Sequence, residues 1–394
     1  MGYRTYDCPI ERDCGGCELL SVPYPIQLRR KAERVRELLG EMAEADGATI
    51  AEVAGMEEPT GFRHKAATPL VAGSRGKVLS GFYAAGSTRV VPASACLAEA
   101  PAARPALESV ARGCERLRIP TYRRRDGSGI VRYAVVRCGW ATDELLLTIV
   151  TNGRELPHAK QLADELMRAH PEITSIVQNV NTSRTSAMLG RECHTLAGPG
   201  HMRDGLLGCT FEIGPTAFYQ TNPQQTEVLY RLAIDAAGLE GGIRMLDAYC
   251  GTGTIGICAA DATPGVEVVG VEKGHDAVAC ARRNAEANKV AERCEFVQAD
   301  ATSHLAALAR RKGGKGSFDV VVLDPPRAGS TPEFLSAAAA IAPERIVYVS
   351  CEPTTLARDV AALRRLGYRM RTVEPVDMFP HSKHIEVVAG LERR

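Results

Sequence analysis

The stretch RMLDAYCGTGTIGICAADA, residues 244–262, joins an apolar run, a glycine-rich turn and a second apolar segment. Gly251, Gly253 and Gly256 lie between the two segments with the spacing G-x-G-x-x-G. Glycine permits a tight turn and lets another group approach the backbone closely. The stretch therefore predicts a strand, a glycine turn and a helix, which together form the first unit of a parallel α/β sheet.

The residues that follow repeat this alternation of strand and helix patterns. The tail adds two further strand patterns, at 368–379 and 384–393. Between the glycine turn and the tail, strand-length apolar runs occur in VEVVGVE (266–272), CEFVQAD (294–300), FDVVVLD (318–324) and RIVYVSC (345–351), and a helical pattern in DAVACARRNAEANK (276–289). Such alternation predicts a doubly wound, Rossmann-like α/β domain over residues 211–394.

The first 210 residues mix helix and strand patterns in another order. Helical spacing marks residues 24–43 and 158–171, whereas strand patterns mark 51–91 and 173–181. The runs 130–140 and 144–153 read as a β-hairpin, preceded by a basic loop. We therefore expect an amino-terminal α+β domain over residues 1–210, with the domain boundary near residues 205–214.

Composition describes an ordinary soluble globular protein. The chain has 394 residues, a net charge of +1, 24% charged residues and 45% hydrophobic residues. No run approaches the ~18 apolar residues of a membrane span, and the amino terminus has no apolar signal core. We expect a cytoplasmic protein, without membrane contact and monomeric. Without a basic excess, any contact with nucleic acid must come from local patches.

Three of the thirteen cysteines cluster near the amino terminus. Cys8, Cys14 and Cys17 have the spacing C-x5-C-x2-C. Thiols stay reduced in the cytosol, so this trio is more typical of a metal site than of disulfides. A tetrathiolate site needs a fourth ligand. Cys96, in a turn-like stretch, is the best candidate, and Cys114, in a helical pattern, is the second. Spacing leaves zinc and an iron–sulfur cluster equally open.

Cys351 ends the strand pattern of residues 345–351 and precedes a glutamate–proline pair that stops the strand. Open α/β sheets bind ligands at the carboxyl ends of their strands. A lone cysteine there is more often a packed thiol, because free cysteine is among the most buried residue types. The neighbouring pattern ends in DPPRAG (324–329), whose prolines form a rigid rim. Such a rim suits an enzyme that holds a planar base against a methyl group.

The glycine motif serves both dinucleotide and S-adenosylmethionine enzymes, and Glu272, at the end of the second strand, can accept hydrogen bonds from ribose hydroxyls in either class. A dehydrogenase is disfavoured because the rim at residues 324–329 has no role there and no plausible hydride-transfer pair follows.

The chain resembles the RNA 5-methyluridine methyltransferases that use S-adenosylmethionine. The resemblance covers nearly the whole chain, with two departures. Cys8 leaves no room before it for the RNA-binding TRAM barrel that many members carry, and Thr254 stands where some members have asparagine. The matching stretches are CPIERDCGGC (8–17), FRHKA (62–66), FYQTNPQ (218–224), DAYCGTGTIG (247–256), LDPPRAG (323–329), SCEPTTLARD (350–359) and DMFPHSKHIEVV (377–388).

The resemblance implies a role for each matching residue. Cys351 would be the nucleophile and Glu386 the base, with Asp377 or a histidine of PHSKH (380–384) as the next candidates for the base. Gly251, Thr254, Gln220, Tyr249, Glu272, Asp300 and Asp324 would surround S-adenosylmethionine. Cys8, Cys14, Cys17 and Cys96 would hold a four-iron, four-sulfur cluster, with zinc as the alternative.

Uracil chemistry explains why a cysteine and a carboxylate are both needed. Thiolate addition at carbon 6 makes carbon 5 nucleophilic, and a base must later remove the proton of carbon 5. We therefore expect an RNA uracil-C5 methyltransferase. The missing barrel favours 23S rRNA as the substrate, and tRNA is the alternative. A nonenzymatic iron–sulfur or zinc RNA-binding protein is a second hypothesis. The segment Phe62–Lys65 is expected either to contact RNA or to form a structural strand.

Overall fold

The computed structural model describes residues 5–185, 187–311 and 314–394. Its first half mixes two long helices with short strands. In chain order the elements are α1 (Tyr24–Asp46), β1 (Thr49–Ile50), β2 (Lys65–Ala72), a 3-10 turn (Ser74–Gly76), β3 (Val78–Tyr83), β4 (Val90–Pro92), α2 (Ala103–Arg116), β5 (Val131–Cys138), β6 (Leu145–Thr151), α3 (Ala159–Ala169), β7 (Ile173–Val180), β8 (Glu192–Ala197), β9 (Met202–Leu206) and β10 (Cys209–Ile213).

The second half alternates helix and strand almost without exception, as its apolar periodicity predicts. The elements are α4 (Pro223–Ala237), β11 (Arg244–Ala248), α5 (Thr254–Ala262), β12 (Glu267–Glu272), α6 (His275–Ala287), β13 (Cys294–Gln298), α7 (Ala301–Arg310), β14 (Val320–Leu323), α8 (Pro332–Ala340), β15 (Arg345–Ser350), α9 (Pro353–Arg365), β16 (Tyr368–Val376) and β17 (Glu386–Arg393).

Strands β11 to β17 of the second half and β1 of the first half form an eight-stranded sheet in the order β1-β16-β17-β15-β14-β11-β12-β13. Its strands pair in parallel, except that β17 runs antiparallel to both β15 and β16. Helices α4, α5 and α6 contribute to the core on one face, and α1, α7, α8 and α9 to the core on the other. The predicted doubly wound, Rossmann-like sheet is confirmed.

The direction of β17 determines what meets at the ligand-binding edge of this sheet. Parallel strands all end at one edge, whereas an antiparallel strand begins there. Glu386, the first residue of β17, therefore lies at the edge where β11 to β15 end.

The first half contains a seven-stranded sheet in the order β4-β3-β2-β5-β6-β7-β8. Strands β5 and β6 form the predicted antiparallel hairpin, and α2 and α3 contribute to one core with them. Cys114 lies in that core with no exposed surface, so it cannot serve as a fourth cysteine ligand. In the described parts of the chain, no helix combines the length and apolar character of a membrane span.

Residues from the first half also pack on the carboxyl-terminal sheet. The apolar stripe Val35, Leu39 and Ala43 of α1 packs against that sheet, and Thr49 of β1 pairs with Thr372. The β9–β10 hairpin packs on α5 and α6 across the predicted boundary. The division of the chain into two domains at residue 210 stays a prediction.

Candidate active site

The glycine turn after β11 is anchored to the core on one side and leaves open space on the other. The buried Asp247 carboxylate accepts a hydrogen bond from the Gly256 backbone N–H, at 3.0 Å. Gly253 has φ +80°, and a Cβ there would come within 2.8 Å of the Phe296 ring. A Cβ at Gly251 would meet no atom within 4 Å. The backbone at Gly251 thus faces open space, as a turn that receives a nucleoside ligand requires.

Three of the predicted cofactor residues lie at or just after the ends of strands along this edge. Glu272 ends β12 and accepts a hydrogen bond from Gly274 N–H at 2.7 Å. Asp300 follows β13 and caps α7 by accepting from Ser303 N–H at 2.9 Å. Asp324 follows β14. These carboxylates form an acidic row, typical of sites that bind hydroxyl groups.

The remaining three cofactor candidates are placed differently. Tyr249 has φ +64° at the end of β11, and its ring centroid lies 5.3 Å from that of Phe334. Thr254, at the start of α5, is buried and its hydroxyl lies 3.1 Å from the Tyr230 hydroxyl. Its side chain is thus already engaged inside the core. Gln220 lies on the segment that leads into α4.

Strand register brings the predicted nucleophile and base together. Ser350 on β15 pairs with Val387 on β17. Cys351 directly follows Ser350, and Glu386 directly precedes Val387. These two residues, 35 positions apart in the chain, therefore lie at the same end of two adjacent strands.

The two side chains influence each other electrostatically. Burial raises the pKa of the Cys351 thiol to about 11, and the charges of Glu386 and Asp324 act in the same direction. Glu386 is 3% exposed. Burial raises the pKa of its carboxyl well above the usual range, Asp324 adds to this, and Arg327 opposes it. Cys351, Glu386, Asp324 and Arg327 therefore form one electrostatically coupled group.

A buried aspartate anchors the DPPRAG loop beside this group. Asp359 on α9 accepts hydrogen bonds from the Tyr348 hydroxyl (2.7 Å) and from Ser330 N–H (2.8 Å). Arg358 donates to the Ala328 carbonyl at 2.9 Å. Asp359 is not among the site residues predicted from the sequence. The available signal was a charged residue on the apolar stripe of α9, between Leu356, Val360 and Leu363.

Two of the alternative bases are already engaged elsewhere. Asp377 is buried, with Lys31 Nζ at 2.5 Å and the Tyr24 hydroxyl at 2.8 Å. His381 is also buried, and its Nε2 lies 2.8 Å from the Pro59 carbonyl oxygen. These contacts join α1 to the segment before Glu386. Asp377 and His381 thus make structural contacts, whereas His384, whose Nδ1 lies 3.4 Å from Arg327 Nη2, stays an alternative to Glu386 as the base.

The four predicted cluster ligands lie around one pocket. Cys8, Cys14, Cys17 and Cys96 are all partly exposed and line it together with Arg63. Burial raises the pKa of Cys17 to about 11, and the nearby Cys96 thiol acts in the same direction. Four thiol donors beside a cation fit a thiolate-bound cluster in chemistry.

No group of three or more His, Cys, Asp or Glu side chains within the described ranges is placed to hold a metal ion. The iron–sulfur assignment therefore stays a prediction.

The FRHKA stretch (62–66) connects the cysteine pocket to the seven-stranded sheet of the first half. Phe62 is 3% exposed and packs with Met56 and Ala98. Arg63 lines the cysteine pocket, and Lys65 begins β2. Phe62 is thus a core residue.

Comparison with known proteins agrees with this architecture. The family described as tRNA (uracil-5-)-methyltransferase matches residues 208–394. An uncharacterized RNA methyltransferase of Halalkalibacterium halodurans is 37% identical over 385 residues, which cover 98% of this chain and 82% of the relative. An uncharacterized RNA methyltransferase of Clostridium tetani is 36% identical over 381 residues, which cover 97% of this chain and 81% of the relative.

A solved structure is similar over the same length. The crystal structure of Pyrococcus abyssi tRNA (uracil-54, C5)-methyltransferase, in complex with S-adenosyl-L-homocysteine, has a TM-score of 0.77 and 29% identity, covering 98% of this chain and 87% of that one. Because relatives above 30% identity are matched over more than four-fifths of their length and the fold also matches, the chain belongs to the tRNA (uracil-5-)-methyltransferase family of RNA methyltransferases.

Proposed function

We propose that this protein methylates carbon 5 of a specific uridine in RNA through a covalent bond between Cys351 and the uracil. The observation that supports the proposal is the antiparallel β15–β17 register, because Cys351 and Glu386 adjoin its last pair at the edge that holds the glycine turn. A thiol and a carboxylate at one point are the pair that addition and elimination on uracil require.

The residues at the strand ends fit S-adenosylmethionine. The space above Gly251 is open, and Glu272 and Asp300 offer carboxylate oxygens for ribose hydroxyls and an amino group. Gly251, Thr254, Gln220, Tyr249, Glu272, Asp300 and Asp324 are proposed to hold it. When bound, it supplies an electrophilic methyl group.

Cys351 and Glu386 act on the uracil in sequence. The Cys351 thiolate adds to carbon 6, and the electron pair of the carbon 5–carbon 6 double bond moves to form an enolate that is nucleophilic at carbon 5. After carbon 5 has been methylated, Glu386 takes its remaining proton. The double bond re-forms and the Cys351–carbon 6 bond breaks, so the free thiolate returns.

Activity is expected to increase with pH. Because burial and nearby carboxylates raise the pKa of Cys351 to about 11, only a small fraction is thiolate at neutral pH, and that fraction grows as pH rises. Glu386 must also be deprotonated to act, so its titration also makes the rate increase with pH. Single-turnover rates should therefore increase from pH 6.5 to 9, by up to about tenfold per unit.

The Arg327→Gln variant tests the origin of this pH profile. Arg327 lowers the pKa of Cys351, so its removal should shift the profile to higher pH. A wild-type rate that is flat or decreases over this range, with cofactor binding unchanged, would contradict the proposed thiolate nucleophile.

The RNA is proposed to be 23S rRNA, with tRNA as the alternative. The assignment to 23S rRNA rests on the sequence resemblance alone, whereas the name of the family and that of the solved P. abyssi relative support tRNA. Mass spectrometry of 23S rRNA and tRNA from a deletion strain decides between them. Loss of one 5-methyluridine from 23S rRNA supports the first. Loss only from tRNA supports the second, and loss from neither contradicts the proposed activity.

The cysteine pocket is proposed to hold a four-iron, four-sulfur cluster. The resemblance and the four thiols around one pocket support this assignment, and a zinc ion bound by the same four thiolates is the alternative. We expect about four irons per chain and broad visible absorption after anaerobic purification.

The Cys17→Ser variant should lose most of this iron, whereas Cys193→Ser, at an exposed cysteine on β8, should keep it. One zinc per chain in a colourless, active protein would overturn the cluster assignment.

A further inference from the structure

Trp140 is the chain's only tryptophan, and its side chain is 45% exposed. It lies in the turn between β5 and β6. Its ring contacts the edge of the His64 imidazole, with centroids 5.6 Å apart and planes at 85°. Large aromatic side chains dominate interface energetics, so an exposed indole offers a surface on which a ligand can stack.

The backbone that carries this indole is held firmly. The Asp204 carboxylate accepts hydrogen bonds from the N–H groups of Trp140 (2.8 Å) and Ala141 (2.9 Å). Asp204 is itself 1% exposed, on β9. A side chain on a fixed backbone loses little conformational entropy when a ligand stacks on it.

A short chain of contacts joins Trp140 to the methyltransferase edge. His64, which touches the indole, donates its backbone N–H to the Thr221 carbonyl at 2.7 Å. Thr221 directly follows Gln220. The next residue, Asn222, donates through its side-chain amide to the Met378 carbonyl at 3.0 Å, in the segment that leads to Glu386. Through His64, Trp140 is thus linked to residues 220–222, which border the candidate site.

We propose that Trp140 stacks on an unpaired base of the RNA substrate next to the target uridine, and so contributes to substrate choice. Aromatic stacking binds single-stranded RNA because every base has a π-face. The inference rests on the proposed function, because it places this base beside the uridine that Cys351 attacks. A duplex would hide its bases from the indole, so the proposal also requires an unpaired target segment.

Because the chain has one tryptophan, its fluorescence reports directly on this position. The wild-type protein is titrated with an RNA stem-loop that carries uridines in the loop, and with a fully paired duplex of equal length. We expect the loop RNA to quench the emission by half or more and the duplex to leave it nearly unchanged. Tight binding of the loop RNA, measured by filter retention, with unaltered emission would overturn the proposal.

Variants separate stacking from a structural effect. Trp140→Ala should raise KM for RNA about tenfold and leave kcat nearly unchanged. Trp140→Phe should recover most of the affinity for RNA. Leu366→Ala, at an exposed apolar residue that ends α9, is the matched control and should behave as wild type. Equal Tm values establish that the variants are folded.

The outcomes distinguish this inference from the function on which it rests. If the wild type forms no 5-methyluridine, the proposed activity is wrong, whatever the fluorescence shows. If the wild type methylates RNA and Trp140→Ala has the wild-type KM, the activity stands and the stacking proposal is wrong.

Discussion

Cys351→Ala is expected to lower RNA methylation by about 10⁴-fold or more, while S-adenosylmethionine binding stays within about twofold of wild type. Without the thiolate, carbon 5 of uracil is too weakly nucleophilic to take a methyl group. The cofactor should still bind because the residues proposed to hold it lie on β11 to β14 and before α4, whereas Cys351 follows β15. Methyl incorporation from labelled cofactor and calorimetric titration measure the two quantities separately.

Cys250→Ala is a matched control for this prediction. Cys250 also lies at a strand end, but it is buried in the core that α5 covers. This variant should lose some stability through its cavity and keep its chemistry. Substantial turnover by Cys351→Ala would show that another residue, or none, attacks carbon 6.

Glu386→Gln is expected to trap a covalent complex of protein and methylated RNA. Glutamine keeps the shape of the 3% exposed side chain but cannot accept the proton of carbon 5. Addition and methylation therefore proceed, whereas elimination slows by about 10²–10⁴-fold, the usual contribution of a general base. Denaturing electrophoresis should show a shifted band that requires both RNA and S-adenosylmethionine.

Two further proteins make this result specific. The double variant with Cys351→Ala should give no shifted band, because the bond to carbon 6 cannot form. Glu392→Gln lies near the far end of the same strand, β17, where the carboxylate pairs with Arg369 and Arg371. It should turn over as wild type does. Wild-type turnover by Glu386→Gln would remove Glu386 as the base.

The sheet and its glycine turn could be predicted because they depend on local patterns. Apolar runs at 266–272 and 318–324 are short and end at turn residues, so their strand character follows from the sequence alone. The Gly251–Gly256 spacing likewise predicts the turn without knowledge of its neighbours.

The meeting of Cys351 and Glu386 needed long-range information. Periodicity predicts both strands, but not that β17 inserts between β15 and β16 in antiparallel direction. The opposite direction would have placed Glu386 at the far edge of the sheet. The resemblance supplied the pair, and the register supplies the physical reason for it.

Contacts between distant segments were beyond the reach of patterns. The sequence left Asp377 open as an alternative base, and only its buried ion pair with Lys31, 346 positions away, shows that it is structural. Asp359 resembles an ordinary charged helix residue until its bonds to Tyr348 and Ser330 are seen. Such residues stabilise the site through partners that local sequence does not identify.

Release of the hydrogen at carbon 5 tests the central claim most directly. The wild-type protein is incubated with substrate RNA carrying tritium at carbon 5 of uridine and with S-adenosylmethionine labelled by carbon-14 in its methyl group. Methylation at carbon 5 through a Cys351 adduct must displace that hydrogen. The expected result is one tritium released to water for each methyl group incorporated. Methyl incorporation with the tritium retained would place the methyl group elsewhere on the RNA and contradict the proposed reaction.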